Sequence, residues 1–185
     1  MRINDYRWLP VLFALALAGC SDDPGTGPIK PRWDRAPCER CGMVLSDRHY
    51  AAQIRYFPEG KKYSRVALFD DIGCATLWLA DKPWREDPRV EIWVADYRTG
   101  EWIDARKAVY VEGRVTPMAY GLGAQQGPLE GALSFEQAKQ HIRAVEERFN
   151  VRDAHLLERA RAQSESRQAH AEDDNDLPPI VKSKN

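Results

Sequence analysis

The sequence predicts an α+β fold built from two small modules of strand-strand-helix-strand order, followed by a helical extension. The chain has 185 residues, of which 43% are hydrophobic and 30% charged, a globular composition with room for one ordinary domain or two very small ones. Short alternating segments separated by turn residues indicate strands. The pattern restarts near residue 108, and the second module is expected to be shortened because its Gly-rich part carries no helix pattern.

The first module is predicted from hydrophobic alternation and from helix start and stop signals. Its first two strands are expected to form a hairpin around the turn at residues 58–61. Asp70 or Asp71 is expected to cap the helix, and Pro83 to end it. The predicted elements are strands at 49–56 and 63–69, a helix at 72–80, a strand at 90–96 and a short return strand at 101–105.

The second module leads into a long helix. Ser134 is expected to cap this helix, because Gln137 stands three residues on as its capping-box partner. The helix is predicted to run to about Arg167, with a highly charged second half. The predicted elements are a strand at 108–112, a loop at 116–118, a last strand at 132–135, the helix, and a disordered tail at 171–185.

The N-terminus carries two arginines, an apolar run and a cysteine, in that order. The apolar run, Leu9–Ala18, is shorter than the roughly 20 residues that span a bilayer. It ends in Leu17–Cys20, which resembles the lipobox of bacterial lipoproteins, in which the cysteine is lipidated and becomes the first residue. We therefore expect the chain to be exported and held on the inner or outer membrane, facing the periplasm, by lipid on Cys20.

These features predict four regions. They are a signal peptide at 1–19, a lipidated Cys20 with a flexible tether rich in Gly and Pro at 20–36, a folded domain at 37–150, and a charged helical extension with its tail at 151–185.

The CERCGM motif at residues 38–43 places three sulfur atoms in one loop ahead of the first strand. Thiolate and thioether ligands select copper(I), and a thioether is a poor ligand for zinc. The glycine in the motif allows a bend that turns Cys41 and Met43 towards one ion. We therefore expect about one copper(I) ion per chain on Cys41 and Met43. A third ligand is expected from His49, Met118 or Cys38.

Three other interpretations of the motif stay open. The CxxC spacing of Cys38 and Cys41 also suits a redox-active disulfide, or a purely structural one. It further suits half of a zinc site, which Cys74 and His49 would complete. With Cys20 lipidated, three cysteines remain, so at least one thiol stays unpaired within the chain.

Three residues at the start of the first helix are possible supporting residues. Asp70 and Asp71 are expected mainly to cap the helix and to complement its dipole. Cys74 is expected to have a lowered pKa, because it lies in the first helical turn.

Several functional classes are disfavoured. The formal net charge of −1 gives no basic footprint for nucleic acid. We recognise no catalytic triad, nucleophile elbow or phosphate-binding loop, and therefore expect no enzymatic activity.

Several separate motifs, spread over roughly residues 38–131, resemble the NosL family, whose members are copper-binding lipoproteins associated with maturation of nitrous oxide reductase. They are Cys41–Met43, Asp47, Phe69–Gly73, Val94–Tyr97, Glu101–Ala105, Ala108–Val111 and Thr116–Met118. The resemblance implies a fold of two small modules and a periplasmic copper(I) metallochaperone for nitrous oxide reductase. It also implies copper ligation by Cys41 and Met43, with His49 as the nearby nitrogen ligand.

Two alternatives to this function belong to other classes of protein. One is a lipid-anchored thiol–disulfide oxidoreductase that uses Cys38 and Cys41. The other is a non-catalytic lipoprotein with a structural metal or disulfide. Met43 favours the copper chaperone, because neither alternative needs a thioether at this position.

Overall fold

The structure, a computed structural model, describes residues 23–175, with side chains to residue 164, and confirms the α+β class. The signal peptide, Cys20 and the end of the tail at 176–185 lie outside the described residues. The elements are β1 (Ala52–Tyr56), β2 (Arg65–Phe69), α1 (Ile72–Ala80), β3 (Glu91–Ala95), β4 (Trp102–Asp104), β5 (Val109–Val111), β6 (Gly123–Gln125) and α2 (Phe135–Asn175).

Strands β1 to β4 form one antiparallel sheet in the order β2-β1-β3-β4. The central strand β1 aligns Ala52 with Phe69 of β2 and with Val94 of β3. Because β2 and β3 both run antiparallel to β1, their C-terminal residues lie at the same end of the sheet. The predicted hairpin of the first two strands is confirmed.

Helix α1 packs on β1 and β2 and closes the core of this first module. Of the two predicted caps, Asp71 is the one that caps the helix, since its carboxylate accepts a hydrogen bond of 2.8 Å from the Gly73 N–H. Asp70 is thereby left free of the capping role, and its side chain is buried.

The second module consists of a two-stranded sheet, β5 and β6, without a helix of its own. Strand β6 lies in the Gly-rich stretch, where the sequence indicated no regular element. The predicted last strand at 132–135 is wrong, because Leu133 makes only an isolated bridge to Tyr110. Packing explains why the sequence of β6 lacks a strand signal. A Cβ atom on Gly123 would lie 2.9 Å from the Tyr97 ring, so this strand must use a residue of low strand propensity.

Helix α2 starts with the predicted capping box. The Ser134 N–H donates to the Gln137 side chain at 2.8 Å, and the Gln137 N–H donates back to the Ser134 hydroxyl at 3.4 Å. The helix continues to Asn175, so residues 171–175 are helical and not part of a disordered tail. The preceding residues 158–171 are rich in alanine, glutamine, glutamate and arginine, which favour the helical state. Every side chain from 151 to 164 is exposed.

Residues 23–31, called here the N-terminal strap, lie against β1 and β3. Gln53 exchanges two hydrogen bonds with the backbone of Ile29, at 2.9 and 3.1 Å. Arg55 donates to the Gly27 carbonyl at 2.9 Å, and Glu91 accepts from the Gly27 N–H at 2.7 Å. The expectation of a flexible tether is therefore corrected for this segment. It covers two polar side chains of β1, Gln53 and Arg55, that are fully buried.

Candidate metal centre

The CERCGM motif forms a tight hairpin loop at one end of the sheet. Pro37 and Val44 form a bridge at its base, and the Cys38 N–H donates to the Met43 carbonyl at 2.7 Å. Gly42 has a φ of +76°, a left-handed conformation that a residue with a side chain adopts only with strain. The Glu39 N–H donates to the Leu68 carbonyl at 2.8 Å and holds the loop beside the end of β2.

Four side chains converge at this place, from the loop, from the end of β2 and from the first turn of α1. The thiol sulfur atoms of Cys38, Cys41 and Cys74 and a carboxylate oxygen of Asp70 all lie within 4.8 Å of one another. All three cysteines are free thiols. Atoms bound about 2.3 Å from one ion are at most about 4.6 Å apart, so this cluster needs little contraction to close around a metal.

Burial gives the cluster a closed side and an open side. Cys38, Asp70 and Cys74 are 2%, 3% and 0% exposed, whereas Cys41 is partly exposed. Met43, two residues further along the loop, is 50% exposed. An ion or a partner can therefore approach the cluster from the side of Cys41.

Asp70 has spare bonding capacity inside the cluster. One carboxylate oxygen, Oδ2, accepts a hydrogen bond from the Cys41 thiol at 3.4 Å. The other, Oδ1, is buried and has no hydrogen-bond partner among the described residues. An orphaned buried oxygen is costly, and its position among three thiols fits a site arranged for a positive ion.

Asp71 lies behind this cluster. Burial raises the pKa of Asp71 to about 6, while the Thr116 side chain and the Gly73 and Met118 amides act in the opposite direction. Its second oxygen, Oδ2, is buried and makes no hydrogen bond of good geometry within the described residues. The contact with the Met118 amide places the 116–118 loop beside the start of α1.

The three thiols share negative charge unequally. A hydrogen bond from Cys74 lowers the pKa of the Cys38 thiol to about 6. Burial raises the pKa of Cys41 to about 11, and the neighbouring Cys38 adds to this rise. Of the three thiols, Cys38 therefore loses its proton most readily, and a metal ion that bound all three sulfur atoms would displace the protons of the other thiols.

The expectation of a lowered pKa at Cys74 is corrected. The pKa of Cys74 is raised, first because its thiol proton is hydrogen-bonded to Cys38, and further by burial and by the nearby negative charges. Together these effects raise the pKa of Cys74 by more than the dipole of the nine-residue helix α1 lowers it.

Other predicted site residues have different surroundings. His49 lies outside the cluster, is exposed, and its Nδ1 atom contacts the Tyr97 carbonyl at 3.0 Å. Met118 is partly buried against the core, with its backbone next to Asp71. The structure thus gathers Cys38 and Cys41 as expected, adds Cys74 and Asp70 from the group of supporting residues, and does not bring His49 to the thiols.

A second set of contacts ties the loop to α2. Arg40, between the two cysteines of the loop, forms an ion pair with Glu146 of α2 and donates to the Tyr120 hydroxyl at 3.2 Å. The Tyr120 hydroxyl donates in turn to Glu146 at 2.7 Å. The loop is therefore held from both sides, by β2 and by α2, which fixes the sulfur positions before a ligand arrives.

The fold and the site define a small α+β protein with a thiol-rich candidate metal centre at one end of a sheet. A sequence model of the NosL family matches residues 31–145, more than half of the chain, and the chain therefore belongs to the NosL family. This family is associated with copper binding and with maturation of nitrous oxide reductase. No curated protein and no solved structure matches the chain. Within residues 23–175, no helix has the length and apolar character needed to cross a bilayer.

Proposed function

We propose that this protein is a lipid-anchored periplasmic metallochaperone that carries copper(I) for assembly of the catalytic centre of nitrous oxide reductase. The observation that carries the proposal is the cluster of Cys38, Cys41 and Cys74 in a member of a copper-associated family.

The donor set favours copper(I) over harder ions. Three thiolates are soft ligands, and the thioether of Met43 follows Cys41 closely in the same loop. We assign copper ligation to the three cysteines, with the exposed Met43 able to join on the open side. Asp70 accepts a hydrogen bond from Cys41 and places a carboxylate beside the three sulfur atoms, where it would attract a positive ion.

The open side suits a carrier that must release its ion. Cys41 is partly exposed and Met43 is 50% exposed, whereas Cys38 and Cys74 are buried. A thiolate or thioether of an acceptor can therefore approach the copper from the side of Cys41 before the buried sulfurs release it. The buried pair holds the ion in the chain until that exchange occurs.

The anchor is supported by the order of charge, apolar run and lipobox that ends at Cys20. Two or three acyl chains on this residue anchor a protein stably. Replacing Cys20 with Ser is expected to give a species without lipid, and incorporation of labelled fatty acid into that variant would contradict the anchor.

A copper(I) titration against a competing chelator tests the metal assignment. Wild-type protein is expected to bind about one copper(I) tightly, with zinc competing poorly. Cys41→Ser is expected to weaken binding strongly because it removes a charged ligand. Met43→Leu is expected to weaken binding less and to keep the fold, since the side chain nearly keeps its size. Tighter binding of zinc than of copper(I) would contradict the proposal.

The cellular role is tested by deleting the gene under copper limitation. Nitrous oxide reductase is expected to be made and exported but to lack its catalytic copper cluster. A deletion strain with full nitrous oxide reduction would contradict the role in maturation and leave copper binding intact.

One observation favours a second function, thiol–disulfide exchange. The pKa of the Cys38 thiol is lowered to about 6 by its hydrogen bond from Cys74, and thiolates are the attacking species in exchange. Cys38 is only 2% exposed, however, which hinders attack on a protein disulfide. Rapid exchange of the metal-free protein with oxidised glutathione, together with weak copper binding, would favour this function over the first.

A further inference from the structure

The four-stranded sheet has two ends of different character. One end carries the metal centre, directly after β2. The other end carries the β1–β2 hairpin loop at residues 57–64, together with Arg65 and Arg89; this set is called here the hairpin end. Strand β2 connects the two, from Arg65 at the hairpin end to Phe69 just before Asp70.

The N-terminal strap finishes at the hairpin end. Both carboxylate oxygens of Asp23 accept hydrogen bonds from the buried guanidinium of Arg55, at 3.1 and 2.8 Å. The Ser64 hydroxyl, in the hairpin loop, accepts from Arg55 at 2.6 Å and donates to the Gly25 carbonyl at 3.2 Å. The described chain therefore begins beside the hairpin loop and is fixed there.

The chain between this point and the lipidation residue is short. Cys20 lies three residues before Asp23 in the sequence. Three residues span at most roughly 10 Å, since an extended chain advances about 3.5 Å per residue. Lipid attached to Cys20 must therefore enter the bilayer within roughly this distance of Asp23, whatever path the chain takes.

We propose that the hairpin end of the sheet rests on the anionic lipid surface that holds the Cys20 anchor. This inference depends on the anchoring part of the proposed function and not on copper binding. Because only three residues join Asp23 to the lipidated Cys20, the bilayer is the surface that lies next to the hairpin end.

The chemistry of the hairpin end fits such a surface. Its loop and first β2 residue carry Lys61, Lys62 and Arg65 against one acidic residue, Glu59, and all four side chains are exposed. Tyr63 is 55% exposed. Basic side chains are attracted by anionic headgroups, and tyrosine favours the interface between headgroups and acyl chains.

This placement orients the metal centre. Asp70 lies five positions after Arg65, and a strand rises about 3.3 Å per residue, so the cluster lies roughly 17 Å from the hairpin end. The partly exposed Cys41 is thus held away from the lipid. An acceptor in the aqueous compartment can reach the copper without displacing the protein from the membrane.

The test is a trypsin footprint on the mature lipoprotein in vesicles of phosphatidylethanolamine with phosphatidylglycerol, compared with vesicles of zwitterionic lipid alone. Cleavage after Lys61 is expected to be about tenfold slower in the anionic vesicles, because each basic residue near an anionic surface gains roughly fivefold in local association. Cleavage after Arg48, in an exposed turn before β1 at the other end of the sheet, is expected to be unchanged.

A matched pair of variants tests whether the basic residues of the hairpin end cause the protection from trypsin. Lys62→Gln/Arg65→Gln leaves Lys61 in place as the cleavage site and is expected to remove most of its protection. Arg152→Gln/Arg159→Gln removes the same charge from the exposed part of α2 and is expected to leave the protection intact.

Three outcomes would overturn the inference. Equal cleavage after Lys61 in both lipids, with lipid confirmed on Cys20 by mass spectrometry, would show an anchored protein that does not rest on this end. Protection that rises with protein density in zwitterionic vesicles would identify a second copy as the occupant. Absence of lipid on Cys20 would remove both the anchoring part of the proposed function and this inference, whereas failed copper binding would affect the proposed function alone.

Discussion

The part of the sheet under the N-terminal strap and the metal centre both bury polar side chains, but those side chains differ in their hydrogen bonding. Under the N-terminal strap, Gln53 and Arg55 are fully buried and hydrogen-bonded to residues 23–29 and to Ser64. At the metal centre, Asp70 and Asp71 each keep a buried oxygen without a partner among the described residues. The first arrangement stabilises the fold, and the second keeps bonding capacity for a ligand at a cost in stability.

The largest effect on stability is expected from Arg55→Met. This change removes the guanidinium that holds the strap. It leaves the Gly27 carbonyl without its donor and Asp23 with only the Gly25 N–H. The free energy of unfolding is expected to fall by about 3 kcal/mol, a value typical of breaking a buried charged network. Urea unfolding measures this loss, and copper(I) affinity is expected to stay within a few-fold of wild type.

Arg89→Met is the matched control, since Arg89 forms an ion pair with Asp87 at an exposed position. Exposed ion pairs contribute little, so this variant is expected to unfold like wild type. Equal losses in the two variants would contradict the structural role of the strap.

A smaller effect of opposite sign is expected from Asp70→Asn. Asparagine keeps the shape of the side chain and removes a buried carboxylate that lies among the three thiols. The metal-free protein is expected to gain about 1 kcal/mol of stability, while copper(I) binding weakens because a negative group beside the ion is lost. A loss of stability with unchanged copper affinity would show that Asp70 belongs to the fold and not to the metal centre.

The stability of the fold is expected to depend on pH through Asp96, which follows β3 at the end of the sheet that carries the metal centre. Asp96 accepts hydrogen bonds from the Arg98 side chain and from the Gln126 N–H, and the Arg98 contact lowers its pKa to about 2. A lowered pKa of an acid contributes stability that is present above about pH 4 and is lost as the pH falls towards 2. We expect about 1 kcal/mol, because Arg98 is exposed to solvent.

Unfolding measured at pH 2 to 5 for wild type and for Asp96→Asn tests this dependence. The variant is expected to be less stable above pH 4 and to approach wild type near pH 2. Parallel curves at all pH values would contradict the role of the Asp96 contacts.

The smallest effect is expected from ending the chain after Asn150. All side chains from 151 to 164 are exposed, so this part of α2 contributes to neither end of the sheet. The midpoint of thermal unfolding is expected to shift by less than about 2 °C, within the range of neutral surface changes. Calorimetry checks this, and a large drop would show that the distal part of α2 packs on the domain.

The sequence predicts most of the first module because its signals are local. The alternation that predicts β1 and β3, the Asp71 cap and the Ser134 capping box each depend on neighbouring residues, and the structure contains these elements. Strand β1 is nevertheless buried on both faces, because the strap covers Gln53 and Arg55. Strand β6 escaped prediction because contact with Tyr97 requires glycine at position 123, which carries no strand signal. The ordered packing of the strap was not predicted, because composition alone does not show that Gln53 and Arg55 are buried beneath it.

The sequence predicted only the part of the candidate site that depends on residues close together in the chain. Cys38 and Cys41 share a loop, so their spacing brings them together. Cys74 joins them only through the register of β2, which places the first turn of α1 beside that loop. The one signal for a further thiol was the expectation that lipidation of Cys20 would leave three of the four cysteines, so that at least one would be unpaired. His49 is near Met43 in sequence, yet its ring turns to the Tyr97 carbonyl.

The central claim is that thiols from two separate elements form one copper(I) site, and Cys74 tests it most directly. Copper(I) titrations of Cys74→Ser and His49→Ala against the same competitor, alongside wild type, separate the site in the structure from the one that sequence proximity suggests. Cys74→Ser is expected to weaken copper(I) binding more than about 100-fold, which is more than the loss of a residue that only supports a metal ligand would cause. His49→Ala is expected to leave the affinity unchanged. Wild-type affinity in Cys74→Ser together with a large loss in His49→Ala would contradict the account.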